Sequence, residues 1–181
     1  MTMRLVLVCH GATSATRRAA FPADEPLEHP EVVLEPLRAD VTFRTPAVRC
    51  LQTAVALGVD AVPDDGLRDC DHGIWRGRTL DEVTADDPLA VHAWLTDPAA
   101  APHGGESTRD FLGRVGAWLD ALPREHHRIA AVVTPAIVKA AVVHAVLGTP
   151  ASFWRIDVPP LSRTVLSGHP MSWTLRLPVS P

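Results

Sequence analysis

Residues 4–11 read Arg4-Leu5-Val6-Leu7-Val8-Cys9-His10-Gly11, and the fold follows from how this stretch is read. Arg4 to Val8 is a continuous apolar run rather than an alternating one. Such a strand is buried on both faces, as in a parallel sheet covered by helices. It ends in Cys9-His10-Gly11, where glycine permits a sharp backbone exit just after a histidine has been delivered. Working outward, Val41-Thr42-Phe43 and Ile129 to Val133 predict two more strands. A Thr-Pro pair follows each, Thr45-Pro46 and Thr134-Pro135. The hydroxyl would cap an orphan amide, and proline at the first helical position has no amide to leave unpaired. The two helices are expected to stop at Gly58 and near Gly148.

More helices lie between these units. Thr79 with Glu82 predicts a capping box, and Asp87-Pro88 starts a segment reaching Trp94. Ser107 caps a helix whose Phe111, Leu112, Val115, Trp118, Leu119 and Leu122 share one face. Alternation at Thr164 to Leu166 and at Ser172 to Leu177 predicts edge strands. Strands alternating with helices mean an α/β fold, a three-layer α/β/α sandwich around a mostly parallel sheet. At 181 residues the expectation is a single domain over 1–181.

Composition narrows the function. Seventeen Lys and Arg against 21 Asp and Glu give −4, which supplies no electrostatic reason for a nucleic-acid or anionic-membrane partner. Ile129 to Leu147 is nearly long enough to span a bilayer, but Pro135, Lys139 and His144 interrupt it. Cys9, Cys50 and Cys70 form no disulfide framework and no CxxC, so a reducing, cytoplasmic setting is expected. Metal binding by Cys9, His10, Cys70 and His72 has the wrong spacing for a structural zinc site. Trp75, Trp94, Trp118 and Trp154 read as core or pocket wall.

In such sheets ligands sit beyond the carboxyl ends of the strands. His10 stands there, Arg49 lies near the start of the next helix, and Thr134 opens a helix whose free amides favour an anion. Together they suggest a phosphate or carboxylate site.

The same residues carry a resemblance. Leu7-Val8-Cys9-His10-Gly11-Ala12-Thr13 resembles the Arg-His-Gly-Glu-Thr signature of the histidine phosphatase (phosphoglycerate mutase-like) superfamily. Thr45-Pro46-Ala47-Val48-Arg49-Cys50-Leu51-Gln52-Thr53-Ala54 is similar to its Ser-Pro-x-x-Arg-x-x-Gln-Thr-Ala helix start. Leu67-Arg68-Asp69-Cys70-Asp71-His72-Gly73-Ile74-Trp75-Arg76-Gly77 resembles its Leu-x-Glu-x-x-x-Gly-x-Trp-x-Gly stretch, and Gly104-Gly105-Glu106-Ser107 a later Gly-Glu-Ser.

The resemblance implies hydrolysis of a small phosphomonoester through a phosphohistidine, with no cofactor and no metal. It would make His10 the nucleophile, Arg49 the phosphate clamp and Asp69 the proton donor, with Glu106 a second acidic candidate. Gly11 and Thr16 would help bind phosphate, and a homodimer is an allowed assembly. Two family positions are altered: Cys9 replaces the arginine before the nucleophile, and Pro135 the second histidine. Each lost donor costs roughly 10²–10³ in rate. Arg17, Arg18, Arg44 and His103 are candidate replacements. A second reading therefore stands beside the enzyme: a silent relative that binds a small anion or a protein partner. The short stretch from Gly11 to Pro36 favours an open site.

Overall fold

The computed structural model describes residues 2–177. Its strands are β1 (Met3–Cys9), β2 (Val41–Arg44), β3 (Val62–Pro63), β4 (Arg128–Val133), β5 (Arg163–His169) and β6 (Ser172–Arg176). They form one mixed sheet in the order β3-β2-β4-β1-β5-β6. The first four in that order are mutually parallel, and β5 runs against both its neighbours. The continuous apolar run thus sits centrally, between β4 and β5. The tail strands were expected at edges, but only β6 is one. Met3 to Val8 pair with Gly168 back to Arg163, so β5 is drawn inside the sheet.

Helices cover both faces. Leu5 and Leu7 join Ile129, Ala131 and Val133 against α5 (Thr108–Asp120) and α6 (Pro135–Ala145). Val6 and Val8 point the other way, with Val132, onto α2 (Val48–Ala56). Successive side chains of one strand therefore feed two cores, which is what a double-sided apolar strand requires. The stripe on α5 is confirmed: Phe111, Val115, Leu119 and Leu122 are buried. Among the described residues no helix is long and apolar enough to cross a membrane.

Caps follow the sequence at four helices and depart from it at one. Thr79 and Glu82 form the expected capping box at α3 (Leu80–Asp86), Asp87 caps α4 (Pro88–Thr96), and Ser107 caps α5. Thr134 caps α6 with Pro135 at its first position. At α2 the expected Thr45-Pro46 start fails, because Ala47 is still extended and the helix opens at Val48. Its cap comes from elsewhere: Asp24 Oδ1 accepts the Val48 amide at 2.9 Å. Gly58, at φ +66°, ends the helical path as expected. The helix expected to reach Gly148 ends at Ala145 instead, and Leu147 takes the left-handed conformation.

Residues 19–40, after the short α1 (Ser14–Arg18), carry no helix or strand. The segment is tied down by side chains instead. Gln52 Oε1 accepts the Leu27 amide at 2.7 Å, and Glu25 bonds the Thr13 hydroxyl and the Ala23 amide.

Candidate active site

The site begins with a register. Cys9 pairs with Val133 in the parallel β1–β4 ladder, so the next residues, His10 and Thr134, leave adjacent strands side by side. The His10 amide still donates to the Val133 carbonyl at 3.0 Å. His10 is buried, and its two ring nitrogens have different partners. Nδ1 lies 2.7 Å from the Gly11 carbonyl oxygen, and Nε2 3.2 Å from Arg49 Nε. A carbonyl can only accept, so the proton sits on Nδ1 and the lone pair on Nε2. Burial lowers the His10 pKa from its ordinary value, which keeps the ring neutral near pH 7.

Arg49, on the first turn of α2, is only 2% exposed. Its Nη2 donates to Asp69 Oδ2 at 2.5 Å. The other oxygen, Asp69 Oδ1, accepts from the Thr134 hydroxyl at 2.9 Å and the Cys70 amide at 3.0 Å. Thr53, one turn along from Arg49, takes the Gly11 amide on its hydroxyl at 3.1 Å. Four parts of the chain thus close one polar chain: His10, Arg49, Asp69, Thr134.

This chain floors a cavity of about 230 Å³. Pro135 and Lys139 stand on its wall, one helical turn apart on α6. Side chains on a helix lean toward its N-terminus, so Lys139 reaches back toward Pro135. Its ammonium lies 5.5 Å from the Phe153 ring centroid, and burial lowers its pKa while Asp157 opposes the shift. Trp94 and Trp154 also line the cavity. The segment around Phe21, Pro22 and Glu25 walls one side, so the short stretch after Gly11 contributes to the site.

Several expected residues stand differently. Glu106 is not on the cavity wall: Arg114 Nε and Nη2 grip both its oxygens at 2.9 and 2.7 Å. The Gly11 amide is spent on Thr53. Thr16 lines the cavity, yet its hydroxyl donates to the Thr13 carbonyl and accepts the Thr13 amide, because it closes the α1 capping box. Cys9 is fully buried off the wall, and burial first of all pushes its thiol up to about 12, so it is neutral. The four expected replacements are also elsewhere. Arg17 pairs with Glu28, Arg18 and Arg44 lie off the wall, and His103 is buried behind His72, their rings 5.6 Å apart.

Sequence reasoning missed Thr134 as a partner of Asp69 and Lys139 as a wall cation. Thr134 was read only as a cap, and it fills both roles. The signal for Lys139 was its spacing: four residues after Pro135 returns to the same helix face.

The chain has relatives in sequence and in fold. The model of the histidine phosphatase superfamily (branch 1) matches residues 5–180. A bifunctional protein of Mycobacterium tuberculosis is 43% identical over 82 residues, covering 43% of this chain but only 22% of its own length. Phosphoserine phosphatase 1 of Hydrogenobacter thermophilus is 28% identical over 134 residues, covering 70% of this chain and 64% of that protein. The solved structure of a mycobacterial glucosyl-3-phosphoglycerate phosphatase superposes with a TM-score of 0.77 at 27% identity, covering 97% of each chain. A match running from β1 past the last described strand leaves no part of the sheet outside it, and the chain belongs to the histidine phosphatase superfamily.

Proposed function

We propose that the chain is one catalytic domain that hydrolyses a small phosphomonoester through a phosphohistidine at His10. The observation that carries this is the imidazole itself: Nδ1 is tied to the Gly11 carbonyl, so Nε2 keeps its lone pair beside the Arg49 guanidinium. In the first step Nε2 attacks phosphorus, an N–P bond forms and the P–O bond to the alcohol breaks. The phosphomonoester monoanion brings in a proton, which passes to the Asp69 carboxylate as the phosphoryl oxygens take its Arg49 donors and then goes to the leaving oxygen. In the second step water attacks phosphorus and gives a proton to Asp69, and the N–P electrons return to Nε2. Arg49 changes partner along the way: phosphoryl oxygens take over its donors, which frees the Asp69 carboxyl to hold a proton. Lys139 supplies a second positive charge from the wall where Pro135 supplies none. Phosphoryl transfer depends mainly on positioning and on neutralising spread charge, so two cations can serve it.

The 2.5 Å Arg49–Asp69 contact also favours a second reading, since an arginine already paired can hold an anion without turning it over. Phosphate release from a panel of phosphomonoesters decides between them, with wild type beside His10→Ala. Turnover by wild type at least about 10³-fold above the variant is expected for a lost nucleophile. Acid-labile, base-stable phosphate trapped on wild type alone would identify the intermediate. Equal background rates for both proteins would leave only the binding reading.

A further inference from the structure

The cavity above the polar floor is walled by Phe21, His72, Trp94, Phe111, Phe153 and Trp154. These rings come from five separate segments and pack on one another. Trp94 meets Trp154 at 4.5 Å, Trp154 meets Phe153 at 4.9 Å, and Phe21 meets Trp94 at 5.5 Å, each steeply tilted or edge to face. Trp75 braces Trp94 from behind at 5.5 Å. Such a wall is formed before anything binds, so a ligand does not have to order it.

Several polar groups on the wall are already engaged, leaving Lys139 and the unpartnered His72 Nδ1 as the exceptions. The Thr16 hydroxyl is closed into its capping box, and the two Glu25 oxygens accept from the Thr13 hydroxyl and the Ala23 amide. His72 has its pKa lowered, chiefly by burial, and its Nδ1 is buried without a partner. A substrate rich in hydroxyls would find few of these groups free and would leave water here for carbon.

Size points the same way. An apolar cavity of about 150 Å³ holds one benzene ring. About 230 Å³ therefore takes a phosphoryl group over Arg49 plus one ring-sized group. We propose that the substrate is the phosphomonoester of a small apolar or aromatic alcohol, whose carbon part seats against the Trp94–Trp154–Phe153 wall. This rests on the phosphatase reading above.

The test pairs turnover with binding. Benzyl phosphate is compared with O-phosphoserine and glycerol phosphate, all phosphates of alkyl alcohols, so leaving-group chemistry differs little. The expected kcat/KM preference for benzyl phosphate is roughly 10- to 100-fold, the scale on which an apolar pocket discriminates. Binding is read separately from tryptophan fluorescence, with benzylphosphonate beside methylphosphonate, and the same order is expected. Turnover with equal or reversed preference would overturn the inference while leaving the phosphatase reading intact. Absence of all turnover would overturn the phosphatase reading, and the phosphonate order would still decide the wall. Trp154→Ala should narrow the benzyl-to-phosphoserine ratio about tenfold. Should it fail to fold, Trp154→Leu is the milder variant. A ratio unchanged in a folded variant would also sink the proposal.

Discussion

Arg49 and Arg114 both grip a carboxylate away from bulk water, at 2.5 and 2.7 Å, and they spend their donors differently. Arg114 has four of its five N–H donors engaged. It holds both oxygens of Glu106 and gives its remaining amino group to the Gly66 and Arg68 carbonyls, at 2.9 and 3.0 Å. Every polar atom of that pair points into protein, and it pins the start of α5 to the turn ending at Leu67. Arg49 makes one short contact to Asp69 and one to His10, and its third nitrogen is 3.8 Å from the nearest carboxylate, Asp24. The difference lies in unspent hydrogen-bonding capacity beside a cavity. A pair with almost none left is a clasp, and a pair with more left can change partners.

Of the two arginines, conservative loss at Arg49 should have the larger effect on rate. Arg49→Lys keeps the charge but loses the planar fork, so kcat should fall roughly 10²-fold, with a melting temperature close to wild type. Arg114→Ala should do the reverse. Leaving the half-buried Glu106 unpaired costs about 2 kcal/mol, below the cost for a fully buried pair, a melting drop of roughly 4–8 °C at about 2–4 °C per kcal/mol for a chain of this size. The kcat of the folded fraction should stay near wild type. If Arg49→Lys unfolds the protein and Arg114→Ala abolishes turnover, the comparison is inverted.

Acid should act on the Arg49 side alone. His10 has a folded-state value below its ordinary one, so the unfolded chain binds more protons there as pH drops. Its contribution to stability is complete above about pH 6.5 and is lost as pH falls from there through the lowered folded value. The kcat/KM profile should fall tenfold per pH unit below that same value, as Nε2 loses its lone pair. His72 and His103, both also lowered by burial, should steepen the thermal loss in the same window. A rate limb lying above pH 6.5 would contradict a buried neutral nucleophile.

The smallest expected effect is at Thr134. Thr134→Val removes both the α6 cap and the hydroxyl bond to Asp69. The cap alone is worth about 1 kcal/mol. A loss in kcat of several-fold beyond that stability change would place Thr134 with the reacting pair, and no rate change would leave it a cap. Pro135→His offers a gain instead, since Pro135 already faces the cavity. Cys9 is the poorer place to restore a charge, because it is wholly buried off the wall.

Contiguous patterns were the legible part. The apolar run into β1, the Thr-Pro of α6 and Arg49 soon after Thr45-Pro46 each lie within one short stretch, so local chemistry exposes them, whereas Asp69 came only from the family resemblance. What escaped needed two distant segments at once. Nothing near Glu106 announces that Arg114, eight residues on, will take both its oxygens. Nothing near Thr45 shows that Asp24 will cap the next helix in its place. The aromatic wall is the extreme case, since five segments supply it and each ring alone reads equally well as core. The exchange at α2 is also why Thr45-Pro46 misled: the motif is present, but a loop residue outcompetes it.

That loop residue has an effect on the ensemble. Asp24 sits in the segment that walls the cavity, and its carboxylate holds the first amide of the helix carrying Arg49. Losing this contact would uncap α2 at a cost of about 1 kcal/mol, added to whatever the Gln52–Leu27 and Glu25–Thr13 bonds of the same segment contribute. The cavity wall and the position of Arg49 then belong to one equilibrium, and whatever holds the segment also steadies the guanidinium.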